Sequence, residues 1–275
     1  MATSATGGGA ADISVAAAFS NGFTLLGRRT GEIVIVAVLL GSLPWAILYT
    51  LSQHLLTHLD GFLNYLHLAF GFWQGAAIGL IIGVVIQAIG ITAAFGFIAR
   101  IAIAAADNRD EPVARSLDVT LRRYPAMVVM DLIREIATWI GLVLLIVPGL
   151  ILSVMWSLAA PAMVAEGLGP IAGLRRSAYL TRDVRWRVLG LALVMGIVDA
   201  VGNYLLRSVA GDFYGGKAEL ARAISYEWPI WYMAAMTVYR GAAIAITGSV
   251  FAALYVQLRN GKDGPQSDQL AEVFA

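Results

Sequence analysis

The sequence predicts an all-α polytopic membrane protein, with six transmembrane helices as three hairpins, each preceded by a cytoplasmic amphipathic helix. Three observations lead there. The chain is 59% hydrophobic and only 13% charged, whereas a soluble domain is nearer half apolar and a quarter charged. Its apolar residues come in blocks long enough to cross ~30 Å of hydrocarbon at 1.5 Å per helical residue. Its basic residues cluster between those blocks in an alternating pattern.

Six segments qualify as spans: 32–52, 72–99, 126–147, 149–166, 188–209 and 229–257. Val147-Pro148-Gly149 separates the third from the fourth. Pro lacks the N–H that continues a helix and Gly accepts left-handed angles, so this tripeptide is expected to turn a tight hairpin. Residues 1–11 read as a disordered tail, 12–260 as the membrane domain and 261–275 as a cytoplasmic tail. The start of the chain has no basic residue leading into an apolar run, so the first span reads as a retained helix.

Orientation follows from Lys and Arg. Arg28 and Arg29 precede span one, and Arg100, Arg109, Arg115, Arg122 and Arg123 separate spans two and three. Arg175, Arg176, Arg182, Arg185 and Arg187 separate spans four and five, and Arg259 and Lys262 follow span six. The opposite side keeps Arg207, Lys217 and Arg222. The positive-inside rule then makes the first set, and both chain ends, cytoplasmic. Trp73, Trp228, Trp231 and Tyr232 are expected at the outer interface, and Tyr124 and Trp186 at the inner one. With no cysteine, disulfides and thiolate metal sites are excluded, and the whole suits a bacterial inner membrane.

Each pair of spans follows a stretch of similar design. Val15, Phe19, Phe23 and Leu26 share a helical face, and 112–124 and 170–186 repeat the arrangement. All three carry Ser-x-x-x-Thr: Ser20 and Thr24, Ser116 and Thr120, Ser177 and Thr181. Such helices bury an apolar face at the acyl boundary and offer Arg to anionic head groups. Arg175, Arg176, Arg182, Arg185 and Arg187 are the head-group candidates.

Pro148-Gly149, Trp156, Pro161, Glu166-Gly167, Arg175-Arg176-Ser177 and Leu180-Thr181 also carry a resemblance. Over 146–190 the chain resembles the membrane domain fused to some bacterial glycerophosphoryl diester phosphodiesterases, which also occurs alone. The resemblance implies a polytopic helical domain. It imports no catalysis, because that family's hydrolase is a separate soluble barrel.

Two further features stand out. Gly71, Gly75, Gly79 and Gly83, at four-residue spacing, make a flat helix-packing face, within a protomer or between copies, that Gln87 continues. Asp131, Arg134 and Glu135 share one side of span three; Asp199 and Asn203 share a face of span five, and Arg240 lies on span six. At 1.5 Å per residue, Glu135, Asp199 and Arg240 each sit ~15 Å from where their span enters. A charge facing lipid costs ~3 kcal/mol or more, so these groups are expected to converge inside the bundle. They would form either a structural salt-bridge cluster or the lining of a cavity or ion path.

His54 and His58, with His67 nearby, read as the wet face of an interfacial helix rather than as metal ligands. No phosphate loop and no nucleophile–base pair is present, so neither enzyme activity nor a cofactor is expected, and nucleic acid need not be invoked for the Arg clusters. The expected role is a lipid-interacting or scaffolding domain of the envelope. The alternatives are a small transporter or channel, or an accessory subunit of a phosphodiesterase.

Overall fold

The computed structural model describes residues 15–44, 46–47, 91–105, 111–213 and 230–264. Every regular element among them is helical. In chain order these are α1 (Val15–Arg28), α2 (Thr30–Val36), which continues as a π-helical stretch (Ala37–Ser42), and α3 (Ile91–Ala105). Then follow α4 (Val113–Leu144), α5 (Ile146–Met155), α6 (Ala159–Glu166) and α7 (Pro170–Thr181). The last two are α8 (Arg185–Phe213) and α9 (Ile230–Asp263). The glycine face at Gly71, Gly75, Gly79 and Gly83, Gln87, the histidines at 54, 58 and 67, and Trp73 and Trp228 lie outside the described residues.

Helix α9 is the hub. Its lower half supplies Val250, Phe251, Leu254, Tyr255 and Leu258 to a core shared with α1, α3, α5, α6, α7 and α8. A second core joins α2 and α3 to Ile244 and Ala245 of α9. A third packs Met127 and Met130 of α4 on Ala159, Met163 and Val164 of α6 and Leu174 of α7. By contrast α8 is apolar but largely uncovered: Leu193, Ile197, Val198, Val201, Leu205 and Val209 are all exposed. The hairpin tip 143–147 is likewise exposed and wholly apolar. Continuous apolar surface of this extent calls for lipid or a partner.

Three helical segments are long and apolar enough to cross a membrane: Ile146–Glu166, Arg185–Phe213 and Trp231–Asp263. They fall where the fourth, fifth and sixth spans are expected. The shorter apolar helices Thr30–Ser42 and Ile91–Ala105 occupy parts of the first and second. These features define a helical membrane protein.

Four expectations need correction. The hairpin does not turn at Pro148-Gly149: α4 ends at Leu144, and the single extended residue Leu145 (φ −157°, ψ 128°) makes the reversal. Pro148 lies in the first turn of α5, where its missing N–H has no intrahelical partner to lose. Gly149 instead serves close packing, since a Cβ there would lie 2.5 Å from the backbone nitrogen of Leu142. Second, the amphipathic stretch 112–124 is not a separate helix but runs into the span as one 32-residue helix through Pro125. The reason is register: Ser116, Thr120, Met127 and Asp131 are all buried, and spacings of four, seven and four keep one face toward the core. Third, Tyr232 does not face outward as a belt aromatic would, because it is buried against Ala210 and Met236. Fourth, α9 passes the boundary expected at 260 and ends at Asp263, held by contacts to α7.

Candidate functional site

The charged residues of three helices converge. Asp131, Arg134 and Glu135 of α4, Asp199 and Asn203 of α8 and Arg240 of α9 all line one cavity of about 290 Å³. Phe95 of α3, Ser157 and Ala160 near the start of α6, and Thr247 of α9 also line it.

On the α4 side one guanidinium serves two carboxylates. Arg134 lies 2.9 Å from Asp131 Oδ1 and 2.7 Å from Glu135 Oε1. The Glu135 contact is a hydrogen bond, whereas Asp131 Oδ1 is buried without an aligned donor among the described residues. The other oxygen of Asp131 accepts a hydrogen bond from Thr92 of α3. A carboxylate this enclosed persists only because a guanidinium and a hydroxyl replace its water.

The α8 side differs. Asp199 is exposed at the lip of the cavity, among the uncovered apolar residues of α8. The Tyr239 hydroxyl of α9 lies 2.6 Å from the Asp199 carbonyl and 3.0 Å from its Oδ1. Gly202 makes that reach possible, since a Cβ there would sit 2.6 Å from the Tyr239 oxygen. Arg240, next in the chain, feels Asp199 electrostatically. With all groups ionised, Asp131, Glu135 and Asp199 outnumber Arg134 and Arg240 by one negative charge.

A second chamber of about 280 Å³ adjoins the first and shares Phe95, Arg134, Glu135, Ser157 and Thr247 with it. Thr138 lines this chamber with a buried hydroxyl that has no hydrogen-bond partner among the described residues. Ser157 reaches both chambers because the helix breaks between Met155 and Ala159. The break leaves backbone groups without helical partners, and α7 supplies them. Ser177 Oγ accepts the Leu158 N–H at 3.1 Å and donates to the Met155 carbonyl at 2.8 Å. Thr181 Oγ1 adds a contact to the same carbonyl at 3.3 Å. One copy of the repeated Ser-x-x-x-Thr thus clamps the wall of the cavity.

The basic candidates separate. Arg175, Arg182 and Arg187 are exposed and Arg185 is half-buried. Arg176 is not available to a head group, because Glu166 at 2.7 Å and Asp263 bracket it. Burial opposes its charge, yet the hydrogen bonds and charges of Asp263 and Glu166 outweigh burial and hold its pKa above the ordinary value. Glu166 also accepts the Tyr255 hydroxyl at 2.8 Å. Beside it, Lys262 donates to the Tyr179 carbonyl and to Asp183, each at 2.8 Å. These contacts fasten α7 to the end of α9.

Sequence reasoning missed Thr92, Tyr239 and Ser157. Thr92 pairs across 39 positions and no periodic pattern marks it. Tyr239 adjoins Arg240 and Gly202 lies three residues past Asp199, so a bare helix face opposite an aromatic was the one available signal.

Residues 49–258 match a family described as a domain of unknown function (DUF7847), and the chain belongs to it. No curated protein and no solved structure matches the chain.

Proposed function

We propose that this is a six-span protein of the bacterial inner membrane, built as three hairpins, that takes the amine of a lipid head group or cationic solute into its charged cavity. The carrying observation is the one-charge excess of carboxylate in a cavity whose lip, Asp199, opens among apolar residues of α8. An amphiphile arriving sideways would meet that carboxylate first. Its ammonium would find Asp199 and Glu135, and Asn203 would accept a further hydrogen bond. Binding without catalysis suffices, and envelope or lipid homeostasis is the setting this chemistry fits.

Both ends are assigned to the cytoplasm. In support, the basic residues gather on the side of both ends, at Arg28 and Arg29, from Arg175 to Arg187, and at Arg259 and Lys262. A second reading, passage of the cation, is favoured by the adjoining chamber beyond the Arg134–Glu135 pair. An accessory role beside a phosphodiesterase rests on the sequence resemblance alone.

The test is native mass spectrometry of the purified protein with phosphatidylethanolamine, its N-acetylated form, or free ethanolamine. Retention of the first over the second is expected to fall about tenfold in Asp199→Asn and Glu135→Gln, since a hydrogen bond to a charged group is worth ~1.5–3 kcal/mol. Free ethanolamine binding as well as the lipid would shift the reading to a solute. Equal retention of the amine lipid and its acetylated form, in all variants, would sink it.

A further inference from the structure

We infer a second site, for the phosphate of an anionic lipid, in the crevice where α1, the end of α3 and the lower half of α9 meet. The crevice has a volume of about 270 Å³. Asn21, Thr24 and Arg28 recur along one stripe of α1 at helical spacing, and Gln257 faces them from α9. The space exists because Ala102, Ala105 and Ala253 leave the floor without bulk. Among the described residues its rim is therefore cationic and amide, its floor is apolar, and no carboxylate lines it.

Arg28 is the group that gives the crevice its sign. The neighbouring cations are committed elsewhere. Arg29 donates to the Glu111 carbonyl at 3.0 Å and sits 3.5 Å from Glu32, while Arg100 holds the Glu111 carboxylate at 2.5 Å. Among the described residues no carboxylate pairs with Arg28, and its side chain stays exposed at the mouth. A guanidinium flanked by two amides matches phosphate oxygens, with Arg28 giving charge-assisted bonds and Asn21 and Gln257 neutral ones. The alanine floor suits the glycerol and first acyl carbons of a lipid better than a fully hydrated ion. On the outer side of α1, Phe23 is exposed and stacks on Phe19 at 6.5 Å, an apolar surface of the kind that rests in acyl chains.

This inference needs only the membrane setting and stands whether or not the charged cavity takes an amine. The probe is phosphatidylglycerol, which has no amine, measured by native mass spectrometry of the full chain in detergent. Arg28→Gln is expected to lower its retention about fivefold, the worth of one surface cation against an anionic lipid. Arg28→Lys should retain most of it, and Ala105→Leu should lower it by filling the crevice without touching a charge. Arg122→Gln, an exposed cation paired with Asp118, serves as the control and should change nothing. Unchanged retention in Arg28→Gln overturns the site. Equal retention of phosphatidylcholine overturns the anion preference, and displacement by millimolar inorganic phosphate overturns the lipid as its occupant.

Discussion

Replacing Ser177 by Ala removes one hydroxyl that does two jobs. The Leu158 N–H, 3.1 Å away, loses its acceptor in a buried break between helices, where water does not substitute. The Met155 carbonyl loses a donor at 2.8 Å but keeps Thr181 at 3.3 Å, so its loss is partial. A buried group left unsatisfied costs ~1–3 kcal/mol, which puts Ser177→Ala at about 2 kcal/mol. For a chain of this size that is a fall in Tm of roughly 4–8 °C, read by tryptophan fluorescence in detergent. The equivalent positions of the repeat make the comparison sharp. Ser116 is buried with its hydroxyl unpartnered among the described residues, so Ser116→Ala should be neutral or slightly stabilising. Ser20 is exposed, so Ser20→Ala should do nothing measurable. Of three serines in one motif, only Ser177 should therefore cost stability. If Ser116→Ala matches Ser177→Ala, the clamp on the helix break is not what the hydroxyl does, and the reasoning fails.

Two further outcomes follow from packing and charge. Gly149→Leu should destabilise by about 1–3 kcal/mol or more, because its Cβ meets the Leu142 backbone at 2.5 Å, whereas Pro148→Ala in the first turn should stay within about 0.5 kcal/mol; similar unfolding midpoints for the two would refute the α4–α5 contact. Asp183 is held below the usual carboxylate range by the hydrogen bond and charge of Lys262, with Arg182 and Arg185 adding to it. Its folded pKa is the lower one, so the stabilisation is complete above the unfolded value and is lost as pH falls through the folded value. An NMR titration of Asp183 should move up in Lys262→Met, and an unmoved midpoint would count against the contact.

The sequence made the charged cavity legible because depth along a span is simple arithmetic. Counting residues from the entry points put Glu135, Asp199 and Arg240 at one level, and avoidance of lipid then demanded that they meet. The same logic could not find Thr92, whose link to Asp131 depends on how two helices distant in sequence pack. Nor could it find the partners of Arg176, because Glu166 and Asp263 reach it from different helices while a count of charges sees only a basic loop. Pro148-Gly149 misled for a local reason: Pro suits the first turn of a helix as well as the turn before it, and only the contact with Leu142 separates the two.

The continuity of α4 has a mechanical meaning. Thirty-two helical residues make a rod of about 48 Å, against a hydrocarbon layer of ~30 Å. One end of that rod carries Arg115, Arg122 and Arg123, and its middle carries Asp131, Arg134 and Glu135. The basic end and the buried triplet are therefore carried on one continuous helix.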